Sequence, residues 1–189
     1  RKIFHPTIRP NFMYTRYVTL APEGAELLER YHVRDTQVEI YKLGGKTRKL
    51  YHIIPPEFRL NEDEYALLDK ARKYIGQHEP REAELAEPEA VRENILRIGL
   101  DLLRDLQKQD SLELGERRLH QLAEILTRYT AGLGILELLL HDENIQDIAL
   151  NSPVGRFPIF LYHGVHQECE TNLVPTREDA DSWATRFRL

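Results

Sequence analysis

The tripeptide Gly45-Lys46-Thr47 has residue types that could bind a nucleotide. In a phosphate-binding loop, backbone amides surround the phosphates, lysine contacts the outer phosphates and threonine holds Mg²⁺. That loop also requires an earlier glycine, at position 40 in this numbering, and a helix directly after it. This chain has Ile40 at the first of these places, and a strand-like segment follows the tripeptide. We therefore predict that Gly45 lies in the turn of a β-hairpin rather than against a phosphate.

The spacing of His163, His166 and Cys169 is a second pattern with possible chemistry, because imidazole and thiolate suit zinc. No fourth ligand lies nearby in the sequence, so we predict structural or exposed roles and no metal site. Asp142 and Asp147 are predicted to be helix-cap and turn groups, with a functional acid at Asp147 as the alternative. No nucleophile and base can be paired in the sequence, and the chain alone is predicted to be inactive.

Arginines near the carboxyl end are the remaining candidates for binding. Guanidinium groups suit triphosphate charge, so Arg156, Arg186 and Arg188 are candidate contacts with a nucleotide or a neighbouring subunit. The alternative for each is a solvated surface cation. We predict that residues 151–157 and the helix beginning at Thr176 lie near an interdomain or intersubunit surface.

Composition limits the classes of protein to which the chain can belong. Its 189 residues are 41% apolar and 30% charged, with a net charge of −5, which favours a folded protein and argues against a nucleic-acid partner. The single cysteine and the lack of an apolar run of roughly 20 residues indicate a cytoplasmic protein. Because the first residue is not Met and the last residues have a helical pattern without a stop signal, we expect both ends to be cuts in a longer chain.

The amino-terminal half alternates between strand and helix signals. Residues 1–20 show no clear period and are predicted to be a solvated arm, and residues 22–31 are predicted to form a short helix. Alternating apolar residues at 36–41 and 50–54 predict the two strands of the hairpin.

A helical region follows the hairpin. Asn61 and Glu64 have the spacing of a capping box, which predicts a helix to about residue 75. Residues 76–88 are rich in Glu and Pro and are predicted to be a flexible connector. Apolar residues of two further amphipathic helices fall at helical spacing: Val91, Ile95, Ile98, Leu102 and Leu106, then Leu119, Leu122, Leu126 and Tyr129.

The carboxyl-terminal part changes to strands. A short helix is predicted at residues 135–141, strands at 145–150, 157–163 and roughly 169–174, and a helix capped by Thr176.

The predicted fold class is α+β. A β-hairpin and a helical bundle precede a small, mostly antiparallel sheet covered by helices. The predicted divisions are a hairpin and helix module at 1–75, a linker at 76–88, a helical segment at 89–141 and an α/β layer at 142–189.

One succession of motifs is more specific than these patterns. It consists of Gly132-Leu-Gly-Ile-Leu-Glu-Leu-Leu-Leu140, Asp142-Glu-Asn-Ile-Gln-Asp-Ile148, Pro158-Ile-Phe-Leu-Tyr-His163 and Thr171-Asn172. This succession resembles archaeal-type secretion, pilus and archaellum ATPases of the type II/type IV secretion family, in which a short helix leads to an IEDI strand, a PVYVYH-like strand and a TN strand. The resemblance covers residues 129–189. Gln146 stands where an acid is usual, and residues 151–155 lengthen a turn.

The resemblance implies a function within a larger protein. In that family this region is the regulatory amino-terminal domain of a homo-hexameric ATPase. ATP and Mg²⁺ are bound by a following P-loop domain, which we expect to lie beyond this chain, so no cofactor is expected in the chain itself. The implied partner is a membrane platform protein, the implied location is the inner face of the cell membrane, and the implied process is protein secretion or assembly of a pilus or archaellum. The alternative is a stand-alone helical and α+β adaptor with no nucleotide role.

Overall fold

The structure, a computed structural model, describes residues 12–78 and 88–187 and divides the chain into two units. The helical unit contains Arg59–Gly134, and the sheet unit contains Asn11–Phe58 and Ile135–Leu189. Residues 1–11 of the predicted arm and residues 79–87 of the predicted connector lie outside the described residues.

The helical unit consists of α1 (Glu62–His78), α2 (Pro88–Gln109) and α3 (Glu116–Thr130), which pack on one another. The predicted capping box at the start of α1 is confirmed. The Asn61 side chain accepts a hydrogen bond from the Glu64 backbone N–H at 2.9 Å, and the Glu64 carboxylate accepts one from the Asn61 N–H at 3.1 Å. Glu64 also binds the Arg118 guanidinium through two contacts of 2.6 and 2.7 Å. Burial raises the pKa of Glu64, but these contacts outweigh burial, so the pKa lies below its ordinary value.

Apolar side chains of the three helices form the core of the helical unit. In α2, Ile95 is buried as its spacing predicts, whereas Ile98 is 37% exposed. Gly99 permits close approach of α2 and α3, because a Cβ atom there would lie 3.0 Å from Cδ2 of Leu126. Other fully buried members of this core are Leu67, Leu68, Ala71, Leu103, Leu119, Leu122 and Ile125.

The sheet unit contains a six-stranded sheet with the order β2-β3-β4-β7-β6-β5. Among the described strands, β4 and β7 run parallel and the other neighbours run antiparallel. A separate short pair joins β1 to β8. The strands are β1 (Arg16–Tyr17), β2 (Glu26–Val33), β3 (Thr36–Lys42), β4 (Lys49–Ile54), β5 (Ile145–Ala149), β6 (Phe160–His163), β7 (Gln167–Thr171) and β8 (Leu173–Val174).

Two helices complete the sheet unit, α4 (Ile135–Leu140) and α5 (Arg177–Arg186). The predicted cap of α5 is confirmed, because Thr176 and Asp179 form a reciprocal capping box. The predicted α+β class is therefore correct. Among the described residues, no helix combines the length and the apolar character needed to cross a membrane.

The helix predicted at residues 22–31 is wrong. The chain turns at Gly24, where φ is +76°, and then forms β2, which pairs along its length with β3. The intervening turn is Arg34-Asp35, in which Arg34 has a φ of 56°. Arginine is an uncommon residue for this left-handed conformation, so the sequence lacks the usual Asn-Gly signal of a hairpin.

The predicted solvated arm is also partly wrong. Phe12, Met13 and Thr15 are buried, and β1 pairs with β8. The Thr15 hydroxyl donates to the Asp179 carboxylate at 2.9 Å. Residues 12–17 are thus part of the sheet unit.

Candidate functional site

The carboxylate of Asp142 lies at the centre of a hydrogen-bonded network in the sheet unit. Its Oδ2 atom accepts from the hydroxyls of Tyr31 at 2.6 Å and Tyr51 at 2.8 Å. Its Oδ1 atom accepts from the backbone and side-chain N–H groups of Asn144 at 2.9 and 3.0 Å. The predicted turn role of Asp142 is confirmed, and its contacts also connect the α4–β5 turn to β2 and β4.

His163 extends this network at the end of β6. Its Nδ1 atom accepts from the backbone N–H groups of Val165 at 3.2 Å and His166 at 3.1 Å. The neutral ring therefore carries its proton on Nε2, which lies 3.2 Å from the Tyr31 hydroxyl. The resulting chain of donors runs from His163 through Tyr31 to Asp142. Because each of these polar atoms is engaged, the network fits a positioning role and offers no open atom to a substrate.

Burial governs the titration of the network. It raises the pKa of Tyr31 and Tyr51, and the hydrogen bonds and negative charge of Asp142 raise them further. Burial also lowers the pKa of His163, and His166 adds to this effect, whereas the charges of Asp142 and Glu29 oppose it. At neutral pH both phenols are protonated and His163 is neutral.

A second buried polar group lies on the opposite side of β3. Glu39 accepts hydrogen bonds from Arg30 and Gln37 at 2.7 Å and from Tyr41 at 2.6 Å. Burial raises the pKa of Glu39, but these donors outweigh burial, so the pKa lies below its ordinary value. His52 lies 3.7 Å from Glu39, and burial lowers the pKa of this histidine.

The two buried histidines predict a loss of stability in mild acid. Because His163 and His52 have a folded-state pKa below the ordinary value near 6.5, the unfolded chain binds more protons below that pH. The free energy of unfolding of the sheet unit should be highest above about pH 6.5 and fall as the pH is lowered toward the folded-state pKa values. Urea denaturation at several pH values, monitored by the fluorescence of Trp183, measures this free energy of unfolding.

A substitution of His163 measures how much this residue contributes to the pH dependence of stability. His163→Asn should reduce the difference in unfolding free energy between pH 7 and pH 5, since one of the titrating groups is gone. The matched control is His32→Asn, at an exposed position of β2, which should leave that difference unchanged. An equal pH dependence in wild type and His163→Asn would contradict the assignment.

The structure confirms that Gly45 lies in a hairpin turn. Its φ is +74°, and the Lys46 N–H donates to the Leu43 carbonyl at 3.3 Å between β3 and β4. The Lys46 ammonium lies 2.6 Å from the Glu170 carboxylate. These residues do not fit a phosphate cradle, because the turn joins two strands and a carboxylate already faces the lysine.

The three residues with a possible zinc spacing have different roles, although the ring centroids of His163 and His166 lie 4.9 Å apart. His163 belongs to the Asp142 network, and the His166 ring nitrogen lies 2.6 Å from Glu29. Cys169 is buried in β7, and burial raises its pKa to about 11. Within residues 12–78 and 88–187, no cluster of histidine, cysteine and acidic side chains has the arrangement of a metal site.

The candidate arginines that the structure describes, Arg156 and Arg186, lie on different elements of the sheet unit. Arg156 is exposed in the loop between β5 and β6, and Arg186 is half-buried in the last turn of α5. Arg188 lies outside the described residues. Asp147, predicted as a cap or turn group, is instead an exposed residue of the edge strand β5.

An open groove lies between α4, the edge strand β5 and the end of α5, and we call it the α4–β5 groove. It has a volume of about 380 Å³, and Asp147 lies on its wall. Three of its apolar residues are strongly exposed: Leu140 by 52%, Leu150 by 41% and Phe187 by 64%. Other apolar lining residues are Leu136, Leu139 and Ile148.

Sequence reasoning missed the partners of Asp142. Tyr31 falls within the segment wrongly predicted as helix, and Tyr51 is far from Asp142 in the chain. The alternation of apolar residues around Tyr51 could have placed it on the buried face of β4, but no local pattern indicates which carboxylate it meets.

Comparison with known proteins supplies relatives without a stated function. No protein-family model matches the chain. The uncharacterized protein MJ1288 of Methanocaldococcus jannaschii is 29% identical over 163 residues, which are 85% of this chain and 61% of that protein. The uncharacterized protein MJ0781 of the same organism is 39% identical over 49 residues, 26% of this chain and 6% of that protein. The chain thus spans less than two thirds of the length of either relative.

Proposed function

We propose that this chain is a regulatory and oligomerisation domain of a hexameric secretion ATPase, in which a following P-loop domain binds and hydrolyses ATP. The domain would act at the cytoplasmic face of the membrane, against a platform protein, in protein secretion or in assembly of a pilus or archaellum. The proposal starts from the resemblance of residues 129–189 to that family. This segment includes α4, the strands β5 to β8 and α5.

The observation that carries the proposal is the α4–β5 groove. Exposed apolar side chains surround the groove, namely Leu140, Leu150 and Phe187, although the adjacent residues Leu136 and Leu139 are buried. We infer that another protein surface packs on this exposed apolar surface. The Asp142 network holds the α4–β5 turn against the sheet, which supports a rigid docking surface rather than a catalytic site.

The complete protein provides the test. We expect the product of the full reading frame to hydrolyse ATP and to form hexamers that depend on nucleotide, as measured by phosphate release and sedimentation. Replacing Arg156 and Arg188 together by Ala should lower turnover or assembly, and Arg156→Ala alone should change the free energy of unfolding of the sheet unit by no more than about 0.5 kcal/mol. Arg186→Ala is measured separately because Arg186 is half-buried.

Arg117→Ala is the matched control, since Arg117 is an exposed arginine of α3 in the helical unit. It should alter neither turnover nor assembly. A full-length product without ATP hydrolysis would contradict the proposed function and favour the adaptor. Unchanged turnover and assembly in the arginine variants would contradict their role at an interface.

A further inference from the structure

We propose that residues 151–157 of one copy of this chain, here called the 151–157 loop, dock in the α4–β5 groove of a second copy. Phe157 would be the apolar anchor, and Arg156 would face Asp147 of the neighbouring copy. The inference rests on the proposed function for the requirement that several copies assemble. It needs neither nucleotide nor a further domain, so it is testable on the 189-residue chain.

The groove has the properties of a receptor for an apolar side chain. Its volume of about 380 Å³ accommodates an aromatic ring with part of a neighbouring side chain. Leu140 and Phe187 form exposed apolar walls. β5 is at the end of the six-stranded sheet, so no further strand of the described chain covers this side.

The charge on the groove restricts what can occupy it. Asp147 is exposed on its wall, and no ion pair joins Asp147 to any residue that the structure describes. Asp142 is buried and already accepts hydrogen bonds from two tyrosines. A suitable occupant therefore combines an apolar anchor with a cation that reaches Asp147.

The 151–157 loop has this combination. Phe157 is 42% exposed, and its neighbour Arg156 is exposed as well. The loop is held in place before any partner binds, because the Arg16 guanidinium donates to the Gly155 carbonyl and the Arg156 N–H donates to the Pro153 carbonyl at 3.3 Å. A preorganised loop loses less conformational entropy on docking.

Within the described residues of one chain, the 151–157 loop does not fill the groove. Phe157 does not line the groove of its own copy, and its loop is held at Gly155 by Arg16 of β1. Among the described residues, each copy therefore has one such loop and one such groove without an occupant. Contacts between different surfaces of identical copies are head-to-tail, and a ring results where the rotation closes.

Two charged substitutions test the pairing. Analytical ultracentrifugation of wild type across the micromolar range should show association that increases with concentration. Phe157→Asp removes the anchor and Leu140→Asp places a charge at the groove. Each is expected to raise the dissociation constant at least about tenfold. Val165→Asp is the control, since Val165 is 73% exposed in the turn between β6 and β7, and it should leave the association unchanged.

Mixing the two variants distinguishes this pairing from general loss of association. Phe157→Asp retains an intact groove and Leu140→Asp an intact loop, so an equimolar mixture should form one-to-one dimers at concentrations at which each variant alone is monomeric. Arg156→Asp and Asp147→Arg should each weaken association, and the double variant should recover it. This charge exchange tests the contact without altering an apolar residue.

Several outcomes would overturn the inference. Wild type that remains monomeric, association that Phe157→Asp and Leu140→Asp leave intact, or a mixture without dimers would each reject the docking of the loop in the groove. ATP hydrolysis by the full-length hexamer would still support the proposed function in those cases. Circular dichroism of every variant identifies any that fails to fold, and the charge exchange then supplies the result.

Discussion

Asp142→Ala is expected to lower the free energy of unfolding of the sheet unit by about 3 kcal/mol. The substitution removes the acceptor of the Tyr31 and Tyr51 hydroxyls, whose hydrogen bonds are 2.6 and 2.8 Å long. Tyr51 is fully buried, so water cannot readily replace the lost partner. A buried donor without an acceptor costs about 1–3 kcal/mol, and the turn contacts of Asn144 are lost as well.

Fluorescence is suited to this measurement because the chain has a single tryptophan. Trp183 is buried in α5, so its emission reports on the sheet unit. The matched control is Asp147→Ala, which removes an exposed carboxylate of β5 and should change stability by less than about 0.5 kcal/mol. Equal effects of the two substitutions would show that the tyrosine contacts contribute little to stability.

Asn172→Ala is expected to destabilise the sheet unit by about 2–3 kcal/mol. The Asn172 side chain accepts from the Ile53 N–H at 2.9 Å and donates to the Ile53 carbonyl at 3.0 Å. It also donates to the Val18 carbonyl at 2.9 Å. The buried Asn172 side chain thus makes the two hydrogen bonds that a neighbouring strand would otherwise make with Ile53 of β4. Alanine at position 172 would leave these backbone groups without partners.

Hydrogen exchange provides a direct test of this role. The Ile53 amide should be protected in wild type and should exchange faster in Asn172→Ala, because its acceptor is the Asn172 side chain. Asn151→Ala is the control, at an exposed asparagine of the 151–157 loop, and it should change neither stability nor the exchange of Ile53. Unaltered protection of Ile53 in Asn172→Ala would contradict this explanation.

Asp142→Ala and Asn172→Ala both act on residues that stabilise the fold, so they are poor tests of partner binding. Thr171-Asn172 and Asp142 belong to the motifs from which a secretion ATPase is predicted, and the contacts of Asp142 and Asn172 hold the sheet unit together. Loss of function in their variants would therefore follow from loss of the fold. Exposed residues of the groove and the loop, such as Leu140 and Phe157, are the better probes of partner binding.

Local signals in the sequence predicted several elements correctly. The capping box at Asn61 and the helix cap at Thr176 depend on residues a few positions apart, and both are present. The hairpin of β3 and β4 follows from alternating apolar residues around a glycine turn. In such elements the deciding interactions lie within one segment, so the sequence itself contains the evidence.

By itself, the sequence determined the α+β class, the capped helices, the β3–β4 hairpin and the turn at Asp142. Only the tertiary structure decided that residues 26–33 form a strand, because pairing with β3 outweighs the helical preference of that segment. It likewise decided that Tyr31, Tyr51 and His163 meet around Asp142. These contacts join residues far apart in the chain, and their partners depend on strand order, which short-range patterns do not encode.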